Sequence, residues 1–164
     1  MNATAQYIQP ATNLNTVNPL EFPTELRPKI AIKVSNLKRS KIFYHALFNR
    51  RATIDKDKTA HFRPYNPSVD LILQEDATAQ ARDGHFGIQL KSTQDIERYK
   101  KRITEAGFSV ITEEAETACC YSVSNKAWVN DPDGNQWEVF VVTGENSSDV
   151  RCGDSCACEA GGCD

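Results

Sequence analysis

A faint internal repeat constrains this chain more than any other feature. The alternation in Lys29-Ile30-Ala31-Ile32-Lys33-Val34 returns 56 residues later in His85-Phe86-Gly87-Ile88-Gln89-Leu90, so that Ile30, Ile32 and Val34 fall on Phe86, Ile88 and Leu90. A period of two reads as a strand with one buried face. Each copy is followed by a stretch of helical spacing. The first runs from Leu37 to Phe48 behind a cap at Ser35 or Asn36, with Leu37, Ile42, Phe43, Ala46 and Leu47 as its apolar set. The second runs from Ser92 to Ala106, capped by Ser92 or Thr93 and ended by Gly107. Further strands are expected at His61 to Arg63 and Val69 to Gln74 in the first half, and at Phe108 to Ile111, Cys120 to Val123, Lys126 to Val129 and Trp137 to Val142 in the second. Asp131-Pro132-Asp133-Gly134-Asn135 supplies the turn before the last strand.

Two copies of strand, helix and further strands predict an α+β fold of two paired βαβββ modules forming a curved mixed sheet around a shared cavity. The domain is expected over residues 28–144, with a leader over 1–27 and a flexible Cys-rich tail over 145–164. Residues 1–26 contain no Lys or Arg and are polar, Asn/Thr-rich and punctuated by Pro, as in a disordered or loosely docked extension. They show neither the basic start and apolar run of a secretory signal nor the arginines of a mitochondrial presequence, so a reducing cytoplasm is the expected compartment. No run approaches the roughly 20 apolar residues of a membrane span. With 19 Lys plus Arg against 22 Asp plus Glu, the net charge of -3 also argues against a bulk nucleic-acid binder.

In paired sheets the cavity-facing positions are those out of phase with the core, here Lys29, Ala31 and Lys33 in the first copy and His85, Gly87 and Gln89 in the second. The matching polar position on the last strand is Glu138. Imidazole and carboxylate together suit a mononuclear metal site. A buried hydrogen bond at His85 and an ion pair at Glu138 would satisfy the same residues without a metal. The repeat assigns a third ligand to Lys29, whose ammonium form has no lone pair and repels a divalent cation. An ammonium paired with Glu138 therefore competes with the metal reading, and His61, Gln74 and Gln89 stand as alternative donors.

Two of the six cysteines, Cys119 and Cys120, are adjacent. In a loop, vicinal thiolates can converge on a soft centre such as trivalent arsenic; the competing role is two small buried hydrophobes. The other four, Cys152, Cys156, Cys158 and Cys163, occupy a Gly-containing tail with too few apolar residues to pack. They suit wrapping around a soft ion, arsenite or a divalent metal, or else form a disordered segment with redox-labile thiols. The two Cys-x2-Cys pairs of a zinc knuckle are missing.

The stretch Thr117-Ala118-Cys119-Cys120-Tyr121-Ser122-Val123-Ser124-Asn125-Lys126-Ala127-Trp128-Val129, with the Asp-Pro-Asp-Gly-Asn turn and Trp137-Glu138-Val139-Phe140, resembles the vicinal-oxygen-chelate superfamily, also called the glyoxalase, bleomycin-resistance and dioxygenase superfamily. Within it the match is to the cadmium-inducible and carbon-arsenic lyase branch, over about residues 29 to 143. The resemblance implies an Fe(II)- and oxygen-dependent enzyme, with another divalent metal as a substitute, that cleaves the carbon-arsenic bond of trivalent methyl- or aryl-arsenicals to give arsenite. It implies that Cys119 and Cys120 hold the arsenic, that His85 and Glu138 are metal ligands, and that the family's remaining ligand falls on Lys29. The expected partners are the organoarsenical and molecular oxygen, with neither nucleic acid nor membrane, and a second copy of the chain in a homodimer. Two alternatives remain. One is a non-catalytic thiol protein sequestering arsenic or cadmium on a metal-site-degenerate fold. The other is a further metal-dependent member such as a thiol transferase, which leaves Cys119 and Cys120 without a role.

Overall fold

The computed structural model describes residues 26–119 and 122–145. Residues 1–25 of the leader, Cys120 and the four tail cysteines lie outside the described residues, and for Cys119 only the backbone is described. The first module comprises β1 (Lys29–Val34), α1 (Leu37–Phe48), β2 (Ile54–Lys56), β3 (Thr59–Phe62) and β4 (Asp70–Glu75). The second comprises β5 (His85–Gln89), α2 (Thr93–Glu105), β6 (Val110–Cys119), β7 (Ser122–Asn130) and β8 (Gln136–Glu145). Each module is βαβββ, as the repeat predicts. Each forms its own four-stranded mixed sheet, in the orders β1-β4-β3-β2 and β5-β8-β7-β6. In both, the first strand pairs parallel with the last and the remaining pairs are antiparallel.

Local chemistry accounts for the boundaries. Asn36 caps α1 by accepting a hydrogen bond from the Arg39 amide at 3.0 Å. At α2 the Ser92 hydroxyl instead donates to Asp95 at 2.8 Å, placing a carboxylate in the first turn where the helix dipole favours it. The sequence reading differs from the structure in the second module. Four short closing strands were expected there, but β6 is a ten-residue strand and β7 is continuous from Ser122 to Asn130. The Thr112–Thr117 stretch of β6 carries no apolar alternation because this edge strand is largely solvated, with Thr112, Glu113, Ala115 and Glu116 exposed. Ile42 also departs from its expected packed position and is exposed.

The two helices contribute unequally. Leu37, Phe43, Tyr44, Leu47 and Phe48 of α1 are all buried, whereas α2 buries only Ile96, Tyr99 and Ile103. The modules meet through these helices. Phe43 stands edge-on to Phe108 at 5.2 Å, Tyr44 edge-on to Trp137 at 5.9 Å, and Arg102 of α2 donates to the Ala46 carbonyl at 2.9 Å. The Asp-Pro-Asp-Gly-Asn turn acts as a second clasp. Asp131 is buried and accepts from the Asn135 amide at 2.8 Å, the Asp133 amide at 2.9 Å and the Tyr44 hydroxyl of the other module at 2.7 Å. The Ser35 amide in turn donates to Asp133. Gly134 closes the turn at φ +89, a conformation that a side chain would strain. Burial, reinforced by the charge of Asp131, raises the Tyr44 pKa well above the usual phenol value, so the hydroxyl stays a donor. Among the described residues no helix is long and apolar enough to cross a membrane.

Candidate metal and substrate site

With the helices packed together, the opposite face of each sheet carries the polar positions. On β5 this parity puts His85, Gly87 and Gln89 on the helix-free face, while Ile88 is buried towards α2. Glu138 lies opposite Gly87 in the parallel β5-β8 register and opposite Trp128 in the β7-β8 register. The second sheet therefore gathers His85, Glu138, Trp128 and Lys126 from three strands.

His85 Nε2 stands 3.6 Å from Glu138 Oε1, and Lys126 Nζ stands 3.7 Å from Glu138 Oε2. The Trp128 ring meets His85 edge-on at 5.1 Å and fixes its own plane by donating from Nε1 to Glu114 at 2.8 Å. Gly87 keeps the approach open, since a Cβ there would come within 3.2 Å of Glu138 Oε1 and 3.3 Å of the Phe140 ring. The donors fit a metal. Nitrogen and oxygen ligands bind divalent metals at about 2.1 Å, which puts neighbouring ligands about 3 Å apart, so one cation can bridge a pair separated by 3.6 Å. Among the described residues no group of three His, Cys, Asp or Glu converges, so these two side chains are the described part of the donor set.

Lys29 lies on β1 of the other sheet, exposed and opposite Asp70. No ion pair or hydrogen bond among the described residues joins it to His85 or Glu138. The ammonium expected near Glu138 is present, but Lys126 supplies it. The candidate donors His61 and Gln74 also belong to the first sheet. Burial lowers the His61 pKa, and its buried Nδ1 has no hydrogen-bond partner. Gln89 shares the helix-free face of β5 with His85. The backbone of Cys119 ends β6 and pairs with Ser122. From Ser122 to Trp128 is six residues along β7, about 20 Å at the usual strand rise.

Lys126, Trp128 and Glu114 escaped the sequence reading as site residues. Their signal was available in the alternation Lys126-Ala127-Trp128-Val129, where Ala127 and Val129 take the core face and leave Lys126 and Trp128 beside Glu138.

Two helix-packed βαβββ modules, with an imidazole-carboxylate pair on one open sheet face, define a glyoxalase-like protein. The chain belongs to the Glyoxalase/Bleomycin resistance protein/Dioxygenase superfamily, whose profile matches residues 28–139. It is 37% identical over 114 residues to the trivalent organoarsenical cleaving enzyme of Bacillus sp. strain MD1, covering 69% of this chain and 71% of that protein. It is 34% identical over 133 residues to the enzyme of the same name from Thermomonospora curvata, covering 80% and 87%. The cadmium-induced protein CadI of Mycobacterium tuberculosis is 31% identical over 122 residues, covering 74% and 80%. Among solved structures, a glyoxalase-related enzyme from Fulvimarina pelagi matches with a TM-score of 0.58 at 15% identity, over 71% of this chain and 88% of that one.

Proposed function

We propose that this protein cleaves the carbon-arsenic bond of trivalent methyl- or aryl-arsenicals to release arsenite, with divalent iron held by His85 and Glu138. The observation that carries the reading is the convergence of these two side chains to 3.6 Å on one open face, in a chain whose relatives at 34% and 37% identity bear the name of trivalent organoarsenical cleaving enzymes. A ferrous ion there would supply the binding and activation of molecular oxygen.

The chain's own residues divide the remaining work. Cys119 and Cys120 act as thiolates that chelate the arsenic and aim its organic substituent, since soft sulfur ligands match a soft centre. Trp128 braces the His85 ring and gives the face an apolar wall. Holding both reactants on one protein replaces a bimolecular encounter with an intramolecular one. The β6-β7 ladder shifts register between Glu114 and Thr117, and the β7-β8 ladder between Val123 and Ser124, so both irregularities lie between the Cys119 backbone and the His85–Glu138 face. A reducing cytoplasm would keep these thiols available. Outside the described residues, Cys152, Cys156, Cys158 and Cys163 are assigned the capture of released arsenite.

A second reading, thiol-based sequestration of arsenic or cadmium without turnover, is favoured by one observation: an ammonium already stands against Glu138. Anaerobic iron loading followed by aerobic turnover of methylarsenite, with wild type beside Lys126→Met, which removes that ammonium, separates the two. Arsenite release by wild type is expected. Activity that emerges only in the variant would discard the native enzyme in favour of sequestration.

A further inference from the structure

Lys126 is only 6% exposed, yet it carries a charge and lies on the helix-free face rather than in the core. Lysines are almost never so buried without a partner, because removing an ammonium from water is costly. Among the described residues one carboxylate pairs with it. Glu138 Oε2 is 3.7 Å from Nζ, and the Trp128 ring centre is 5.9 Å away. Glu114 faces Lys126 across the β6-β7 register, but its Oε1 accepts from the Trp128 indole. The two oxygens of Glu138 are thus divided, Oε1 towards His85 and Oε2 towards Lys126. At 3.7 Å the contact is a charge interaction rather than a hydrogen bond, so it orients the carboxylate while leaving it free to tilt.

We propose that Lys126 is the positioning residue of this pair: its ammonium occupies Glu138 Oε2, so that a bound divalent cation receives Oε1 alone. The proposal rests on the reading that His85 and Glu138 hold such a cation. A carboxylate limited to one oxygen uses one coordination position instead of two and leaves others open for exchangeable ligands. The fixed positive charge also opposes the incoming cation, so the site binds metal more weakly than its donors alone would. The first module shows the converse arrangement: its registers place Thr59 where Lys126 stands and Ile72 where Glu138 stands, so both charges are absent together.

Co(II) titration of the full chain, followed by visible absorption and equilibrium dialysis, tests this in wild type, Lys126→Met, Lys126→Arg and His85→Ala, with circular dichroism to verify folding. Lys126→Met is expected to bind Co(II) at least ~10-fold more tightly, with weaker visible bands as Glu138 supplies its second oxygen and the coordination number rises. Lys126→Arg should restore the wild-type spectrum. An Lys126→Met protein with wild-type affinity and spectrum would overturn the positioning role while leaving the metal site intact. Lack of Co(II) binding by wild type and Lys126→Met alike would overturn the metal reading and this role with it. If the Met variant does not fold, Lys126→Gln carries the same two readouts.

Discussion

The two modules share a plan and differ in what they do with it. In the first, α1 is buried along most of its length and its aromatic residues dominate the common core; the open face of its sheet carries Lys29, Ala31, His61 and Ile72. In the second, α2 is more exposed, and the equivalent face carries His85, Gly87, Trp128 and Glu138. The registers make the correspondence residue by residue: Lys29 with His85, Ala31 with Gly87, His61 with Trp128, Ile72 with Glu138. Four exchanges at matched positions separate a face with an imidazole-carboxylate pair from one without it. The first module contributes stability and the second contributes the candidate chemistry.

Stability gives the largest expected effect. Asp131 ties the second module's turn to Tyr44 of the first, so Asp131→Ala removes a buried carboxylate and leaves the Tyr44 hydroxyl and two amides without their acceptor. A loss of about 3 to 5 kcal/mol is expected in urea unfolding. A loss below about 1 kcal/mol would show that the helices alone hold the modules together. Next come the ligands. His85→Lys installs the first module's residue in the second, and should weaken Co(II) binding at least ~100-fold by exchanging a donor for an ammonium. Lys29→Met should change that affinity by less than ~3-fold; a larger drop would make the first face part of the site.

Gly87→Ala installs the matched residue at the point of closest approach. Its Cβ would press on Glu138 Oε1 at 3.2 Å, and roughly 10-fold weaker Co(II) binding is expected with stability changed by less than about 1 kcal/mol. Unchanged affinity would mean that Glu138 can move aside freely. The smallest effect concerns His61, whose pKa is lowered by burial. The folded state disfavours its protonation, so its contribution to stability is full above about pH 6.5 and declines as pH falls towards the lowered folded value. His61→Gln should remove that slope from unfolding curves measured between pH 7.5 and 5, on the order of the range in which histidine titrates; an identical slope in the variant would place its origin elsewhere.

What the sequence disclosed follows from where burial enforces a pattern. The bounds of β1 and α1 match the reading residue for residue, because Ile32 and Val34 are buried in alternation and the helix is packed along its apolar stripe. The same logic placed His85 and Glu138 on one face, since that face is defined by its phase relative to Ile88, Trp137 and Val139. Edge strand β6 was legible only at its start, because its Glu-rich middle faces solvent and no period is imposed on it. Lys126 was missed for a different reason. A buried lysine is recognised by its partner across the sheet, and the Trp128–Glu138 register that brings them together depends on β7 running unbroken through Ser124 and Asn125. Lys29 was linked to the site through the repeat and through the family resemblance, and equivalence in a repeat places two residues at matching positions of two sheets, not beside each other.

The most direct test of the second module as the reactive one is arsenite release from methylarsenite by the iron-loaded full chain in air, comparing wild type with Glu138→Ile, which gives the second face the first module's residue. Wild type should release arsenite, while the variant should still bind the arsenical through its thiols and release none. Equal release by the two proteins would contradict the assignment of the chemistry to the His85–Glu138 face.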